Sequence, residues 1–239
     1  MKTSTFFPAL AVAAAVTLFA ASAAADTVVL DATNSTFDSL IGATSGTVNG
    51  VSFVAAGGTG TFSRGASIGG YTGFGVSGGI MQNEIDIGET ITVSLGSLHT
   101  IRSFDVAFLF NGPEFGDVNE RVTVTAFNSV NSTSQTATLT ATGDNSAFWT
   151  FNSQTIVSLS LAADGSAGAW RVSDPFGSFQ YDSLVFGAAS GVCRTTTGCS
   201  GSDYALMAVT VAPEPQVFAL MLAGLGAVGF LARRRRLQN

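Results

Sequence analysis

The sequence predicts an all-β protein, an antiparallel β-sandwich of jelly-roll type, and three observations support this prediction. Apolar residues alternate with threonine, serine and other polar residues in one segment after another, as they do in strands that bury one face. Turn residues, above all glycine, recur at short spacing between these segments, and residues 26–211 show no sustained helical period. Many short strands with closely spaced turns are typical of sandwiches and jelly rolls. A solenoid is the alternative, but no fixed internal repeat is present.

The individual strands follow from this alternation. The residues expected on one face of a strand are Ile91, Val93 and Leu95; Phe104, Val106, Phe108 and Phe110; Val122, Val124 and Ala126; Val157, Leu159 and Leu161; and Phe179, Tyr181, Ser183 and Val185. Asn49-Gly50 lies between two short strand-like segments and predicts a tight hairpin turn. We expect the 19 phenylalanines to fill the space between the sheets.

The N-terminus has the organisation of a secretory signal peptide. Lys2 precedes an apolar stretch over residues 6–19, and small residues follow that stretch. Ala23 and Ala25 satisfy the small-x-small requirement of signal peptidase, which predicts cleavage between Ala25 and Asp26. Residues 1–25 are therefore expected to be a removable leader, and residues 26–211 to be the folded domain.

The C-terminus contains a second apolar stretch, residues 217–232, which is followed by Arg233, Arg234, Arg235 and Arg236. As a helix this stretch would be about 24 Å long, slightly short of the hydrocarbon core of about 30 Å. Arginine side chains can extend to the interface and make up the difference. The stretch therefore predicts a transmembrane helix, and the basic residues predict a cytoplasmic C-terminus with the folded domain outside.

Pro213, Glu214 and Pro215 stand immediately before this apolar stretch. A Pro-Glu-Pro motif, an apolar segment and a terminal arginine cluster, in that order, resemble the PEP-CTERM sorting signal of exported bacterial proteins. The resemblance concerns residues 212–239 only. It implies processing by an exosortase-type membrane protease in a Gram-negative bacterium, often one with an exopolysaccharide matrix. It further implies transient anchoring in the inner membrane, followed by release to the cell surface or the matrix.

The charge of the body, residues 26–215, excludes two classes of partner. This stretch contains five arginines, no lysine and all 16 acidic residues of the chain, so its formal charge is −11. Such a surface repels nucleic acid and anionic lipid. It suits a protein that works outside the cell.

The chain has two cysteines, Cys193 and Cys199, which an exported body would carry into an oxidising compartment. We expect them to form a disulfide that closes a short loop and stabilises the fold by at most about 2 kcal/mol. A zinc site is the weaker interpretation, because it needs further ligands nearby.

The acidic residues raise the possibility of one structural calcium ion. Glu84, Asp86 and Glu89 lie close together in the sequence, and like charges at this spacing repel unless water or a cation neutralises them. Calcium takes six to eight oxygen ligands, which the loops of a sandwich can supply, and Asp182 is a further candidate ligand. A solvated acidic surface explains the same residues equally well. A second acidic cluster lies in an expected loop and comprises Glu114, Asp117 and Glu120.

Catalysis is not expected. Two Gly-x-Gly-x-x-Gly matches lack the strand, helix and acidic residue that dinucleotide binding requires. The single histidine, His99, would have to serve any Ser-His-Asp arrangement alone. The leading hypothesis is a non-catalytic structural or adhesive protein of the cell surface or matrix. The alternatives are a carbohydrate-binding module and a hydrolase that uses two carboxylates. A carbohydrate-binding module would expose aromatic residues, for which the candidates are Trp149, Trp170, Tyr71 and Tyr181.

Overall fold

The computed structural model describes residues 25–112, 119–151, 156–159, 168–191 and 201–213, together with 224–226, 228–229 and 233 near the C-terminus. The described residues form one large sheet of thirteen strands, which confirms the all-β prediction. The strands are β1 Thr27–Asp31, β2 Ser45–Val48, β3 Val51–Ala56, β4 Phe62–Arg64, β5 Phe74–Val76, β6 Thr90–Ala107, β7 Arg121–Asn128, β8 Thr133–Gly143, β9 Ser146–Trp149, β10 Ile156–Ser158, β11 Trp170–Ser173, β12 Gln180–Ala189 and β13 Ala205–Val211. A 3₁₀ helix, Ser35–Leu40, follows β1.

The long strand β6 connects the two halves of this sheet. Its first half pairs with β3 on one side and β12 on the other, and the sheet continues through β7 and β8 to β9. Its second half pairs with β13 and β11. Gly96 has φ 77° between the two halves, a backbone conformation that glycine adopts without steric cost. All of these strand pairs are antiparallel.

Aromatic side chains from both halves of the sheet meet in the core. The ring of Phe104, on the second half of β6, packs edge-on against Trp149 of β9 at 5.3 Å and Phe186 of β12 at 5.7 Å. Trp149 also contacts Phe176, at 5.8 Å between ring centroids. Edge-to-face pairs of this kind add roughly 0.5–1.5 kcal/mol beyond the burial of their surface. Many phenylalanines therefore fill the core as expected, although Phe127, Phe148 and Phe179 are exposed.

Two local predictions from the alternating pattern are confirmed. Asn49 and Gly50 have φ 51° and 82° and connect β2 to β3, where Val48 pairs with Val51. Positive φ at both central residues is what a two-residue hairpin of type I′ requires. In the first half of β6 and in β7, the residues that the alternation predicted to face the core are buried, namely Ile91, Val93, Leu95, Val122, Val124 and Ala126.

Three of the predicted alternations are wrong. Residues 104–107 at the end of β6 are buried on both faces, and the strand ends at Ala107 before Phe108, which has φ 64°. Val157 of β10 is exposed. In β12 the register shifts between Tyr181 and Ser183, so that Leu184 and Phe186 enter the core instead of Val185. A bulge inserts one residue into the strand, and this insertion moves the following side chains to the other face.

The two ends of the described body lie side by side. Thr27 of β1 pairs with Val211 of β13, and both line an open groove of about 540 Å³ together with Val29, Leu95 and His99. In the described part of the chain, no helix combines the length and the apolar composition that a membrane crossing needs. Residues 224–226 and 228–229 are helical, but most of the predicted span 217–232 lies outside the described residues.

Candidate functional site

The loop between β5 and β6 brings two carboxylates, those of Asp86 and Glu89, into the protein interior. The Glu89 N–H donates to the Asp86 carbonyl (2.9 Å) and closes a tight turn in which Gly88 has φ 92°. The Asp86 N–H in return donates to Glu89 Oε2 (3.0 Å). The Met81 N–H donates to Asp86 Oδ2 (3.1 Å). Backbone donors from the same loop thus hold both side chains in place.

Burial of this pair is almost complete. The residue exposure is 5% for Asp86 and 3% for Glu89. Desolvation raises the pKa of Asp86, and the backbone hydrogen bonds from Met81 and Ile80 oppose part of that rise. Desolvation also raises the pKa of Glu89, and the charge of Asp86 raises it further. Both shifts express the cost of keeping two negative charges in one poorly hydrated site.

Glycine residues surround the oxygen atoms of the pair. A Cβ atom added at Gly79 would overlap Asp86 Oδ2 and stand 3.0 Å from Glu89 Oε1. A Cβ atom added at Gly58 would overlap Glu89 Oε1 and stand 2.5 Å from the carbonyl oxygen of Ser77. Glu89 Oε1 is itself buried and has no hydrogen-bond partner. Asp86 Oδ2 and Glu89 Oε1 therefore pack directly against the glycine backbone, where a side chain would displace them. The Ser77 carbonyl already accepts hydrogen bonds from the N–H (2.7 Å) and the hydroxyl (2.9 Å) of Thr59.

The other predicted calcium ligands do not join the pair. Glu84 lies in an isolated bridge with Val76, and its backbone carbonyl accepts from the Val76 N–H (2.9 Å). Asp182 lies at the bulge of β12, where it accepts hydrogen bonds from the N–H and the hydroxyl of Ser129. Among the described residues, no group of three or more His, Cys, Asp or Glu side chains is arranged to hold a metal ion. Any cation at Asp86 and Glu89 would thus rely on backbone oxygens and water as well.

A second buried carboxylate, Asp105 of β6, has a different environment. Arg171 of the neighbouring strand β11 donates to both of its oxygens, from Nε at 2.7 Å and from Nη2 at 2.6 Å. The hydrogen bond to Asp105 and its charge raise the pKa of Arg171, although desolvation opposes the rise. No local sequence pattern predicts this pair. Asp105 lies opposite Arg171 across the two strands, a register that sequence alone does not reveal.

The aromatic candidates for carbohydrate binding belong to the core. Trp149 is 1% exposed, and its ring N–H donates to the Pro175 carbonyl. Trp170 is also buried and donates to the Leu109 carbonyl. Tyr181 is buried, and Tyr71 is partly buried, with its hydroxyl donating to the Leu159 carbonyl. Among the described residues, Phe179 is an exposed aromatic that lines a groove, beside Asn128, Asn131 and Gln180.

Several predictions concern residues whose structure is not described. Cys193 and Cys199, Ala23 at the signal cleavage site, and Glu214 and Pro215 of the sorting motif lie outside the described residues, as do Glu114, Asp117, Arg234, Arg235 and Arg236. The disulfide and the signal peptide therefore stay predictions. Pro213, Arg233 and the residues on either side of the predicted cleavage, Ala25 and Asp26, are described.

The residues that lead into the sorting motif belong to the sheet. Strand β13 ends at Val211, and the Ala212 N–H donates to the Thr100 carbonyl (2.8 Å). Pro213 lacks an N–H and cannot continue this pattern. His99 Nδ1 lies 3.4 Å from the Ala212 carbonyl, and Nε2 lies 3.0 Å from Ser97 Oγ. The body and the sorting motif thus meet at Ala212 and Pro213.

Comparison with known protein families identifies this segment. Residues 211–236 match the model of the PEP-CTERM protein-sorting motif. The chain therefore carries the motif that its C-terminus resembles in sequence. Comparison with curated proteins found no match, and neither did comparison with solved structures.

Proposed function

Starting from the PEP-CTERM motif, we propose that the chain is an exported, non-catalytic protein with a structural or adhesive role. The motif implies export and processing by an exosortase-type protease. In this proposal signal peptidase first removes residues 1–25, and the C-terminal segment then holds the protein in the inner membrane of a Gram-negative bacterium. Cleavage near Pro213, Glu214 and Pro215 releases the body to the cell surface or the extracellular matrix.

The position of the motif relative to the sheet is the observation that carries this proposal. The Ala212 N–H donates to the Thr100 carbonyl (2.8 Å) immediately before Pro213. Cleavage after Pro213 would leave β13 and its pairing with β1 and β6 intact. The N-terminal strand β1 pairs with the same end of β13, so processing at both ends removes no part of the sheet. A protease can thus release a folded body without unfolding it.

The surface chemistry supports a structural role. Threonine and serine hydroxyls on exposed sheet faces contact one another across strands, as in Thr125 with Thr136 (2.9 Å) and Thr47 with Ser52 (3.3 Å). Cross-strand pairs of this kind contribute roughly 0.2–1 kcal/mol each. We also propose that the two halves of the sheet pack as a sandwich, which the contacts of Phe104 with Trp149 and Phe186 support.

The sorting proposal is tested in the producing bacterium by mass spectrometry of the intact protein from surface and membrane fractions. We expect the surface form to begin at Asp26 and to lack residues 217–239. Replacing Arg233–Arg236 together by serine should reduce processing, because the basic cluster fixes the segment in the membrane. The matched control replaces Gln238 and Asn239 by serine and should leave processing unchanged. A surface form that retains its arginine cluster would contradict the proposal.

Carbohydrate binding is the second candidate function, and the groove at Phe179 favours it. Phe179 is 60% exposed and stands beside the exposed residues Asn131 and Gln180 in a groove of about 360 Å³. An exposed ring with amide side chains beside it can stack on a sugar face and hydrogen-bond its hydroxyls. The exopolysaccharide of the producing bacterium is the partner that this function would use.

The carbohydrate hypothesis is tested by binding of the released protein to immobilised exopolysaccharide and to a glycan array. Phe179→Ala should weaken retention at least tenfold, because it removes the stacking surface. Phe148→Ala removes another exposed ring, outside this groove, and should retain binding. Equal binding by both variants would remove Phe179 from the hypothesis, and absence of glycan binding would favour the structural role. Turnover of a bound glycan would instead support the carboxylate-dependent hydrolase.

A further inference from the structure

The charge of the Asp86–Glu89 pair is not balanced by any recorded ion pair of the described residues. In those pairs Arg64 contacts Asp38, Arg102 contacts Asp26 and Asp174, and Arg171 contacts Asp105. The carboxylates of Asp86 and Glu89 instead both approach the backbone at Gly79. Burial of a charge without a partner is strongly unfavourable. A site that keeps both carboxylates ionised therefore requires a counter-charge.

We propose that Asp86 and Glu89 form a calcium site, with Asp86 Oδ2 and Glu89 Oε1 as its protein ligands. Asp86 Oδ2 and Glu89 Oε1 both lie close to the same Cβ position at Gly79, which places the two oxygens within about 5 Å of each other. One Ca²⁺ at about 2.4 Å from each oxygen can bridge this distance. Glu89 Oε1 is buried and without a hydrogen-bond partner, so it has a free lone pair for the ion. The glycines at positions 58 and 79 allow both carboxylates to approach the backbone this closely.

The ligand chemistry selects calcium over other common metals. Both protein ligands are carboxylate oxygens, whereas zinc prefers cysteine and histidine. Magnesium demands near-ideal octahedral geometry and gives up its water reluctantly. Calcium accepts irregular coordination, and water can complete its shell. The site therefore fits calcium best.

Few protein ligands imply weak binding. Calcium sites of extracellular modules have dissociation constants of about 10⁻⁴–10⁻³ M, and a site with two carboxylates belongs in that range. Such a site would be filled outside the cell, where the proposed sorting delivers the body. The calcium proposal itself needs only the folded body, and its test does not involve processing.

The test compares thermal unfolding of the full chain, purified in mild detergent, in millimolar CaCl₂ and in chelator. Calcium that binds only the folded protein should raise the melting temperature as its concentration increases. Isothermal titration with CaCl₂ gives the affinity directly. Asp86→Asn and Glu89→Gln should each weaken calcium binding at least tenfold. Asp182→Asn, a carboxylate elsewhere on the sheet, should leave it unchanged.

Two results would overturn the proposal. Identical unfolding of the unaltered chain in calcium and in chelator would mean that a proton shared between the two carboxyl groups, not calcium, balances their charge. Calcium stabilisation that survives both Asp86→Asn and Glu89→Gln would place the ion elsewhere. Circular dichroism of each variant in chelator confirms that it is folded, so loss of calcium binding cannot be attributed to unfolding.

Discussion

Asp105 and Glu89 are both buried carboxylates, but Asp105 meets a guanidinium group whereas Glu89 meets a second carboxylate. Asp105 lies within β6, and Arg171 on the adjacent strand contacts both of its oxygens. Glu89 lies in the loop before β6 and keeps one oxygen without a hydrogen-bond partner. The two sites are separated along β6 by most of the length of that strand.

The difference shows that a buried carboxylate can either link two strands or remain open to a ligand. A carboxylate between two paired strands, with its charge balanced, links those strands and leaves little capacity for a ligand. A pair of carboxylates in a glycine-rich loop, with their charge unbalanced, stores unfavourable energy that a bound cation can relieve. Buried charge is therefore a sign of a ligand only where its partner is missing.

The largest effect is expected from removing the partner of Asp105. Arg171→Leu should destabilise the fold by about 2–3 kcal/mol, because it leaves a buried carboxylate unpaired. The value lies below that of fully buried pairs because the Arg171 side chain is half exposed. Chemical denaturation of the variant and of Arg102→Leu measures the difference. Arg102 makes only exposed ion pairs, so its loss should cost less than about 1 kcal/mol, and equal costs would contradict the comparison.

The glycine at the carboxylate pair provides the next test. Gly79→Ala should cost about 2 kcal/mol, because its methyl group would overlap Asp86 Oδ2 and the loop would have to move. The variant should also lose calcium binding. Gly65→Ala is the matched control, since its Cβ would meet neighbouring atoms only at 3.6 Å or more. Thermal unfolding of both variants measures the difference. A Gly79→Ala protein as stable as the control would show that the position beside Asp86 Oδ2 can accommodate a methyl group.

Neutralising one carboxylate should have opposite effects on stability at the two sites. In chelator, Glu89→Gln should stabilise the fold by about 1 kcal/mol, because the amide can donate to Asp86 where a carboxylate repels it. Asp105→Asn should destabilise by about 1 kcal/mol, because it weakens the hydrogen bonds to Arg171. Denaturation in chelator measures both. In millimolar calcium the stability gained by Glu89→Gln should disappear. If Glu89→Gln is less stable than the parent in chelator, the charge of the Asp86–Glu89 pair is not unbalanced.

The smallest effect concerns Tyr204, a buried group that is neutral at pH 7. Burial raises the pKa of its phenol well above its usual range. The unfolded chain therefore releases this proton near pH 10, whereas the folded protein keeps it, so stability is full below about pH 10 and falls as the pH rises above it. Tyr204→Phe should reduce that alkaline loss and change stability at pH 7 by less than about 0.5 kcal/mol, since the hydrogen bond of the hydroxyl to Gly187 is long, at 3.4 Å. Unfolding curves at pH 7 and pH 11 test this, and an unchanged alkaline slope would argue against a buried neutral phenol.

Local patterns in the sequence were sufficient for the all-β class, the Asn49-Gly50 hairpin and the sorting motif. Each of these depends on residues that are neighbours in the chain: alternation of apolar side chains, two turn residues, or one contiguous signal. The same local rule failed in β12, because the bulge at Asp182 changes which side chains face the core. It also could not show that Trp149 and Trp170 are buried, since their burial depends on strands that are distant in the sequence.

The candidate site likewise combines features that the sequence shows with features that only the tertiary structure shows. The acidic cluster was visible in the sequence, but the selection of Asp86 and Glu89 from it, the exclusion of Glu84 and Asp182, and the glycines at positions 58 and 79 required the tertiary structure. Charge and composition depend only on which residues are present. Desolvation, and the presence or absence of a counter-charge, depend on what the fold brings near each side chain, and contacts such as Asp105–Arg171 join residues far apart along the chain.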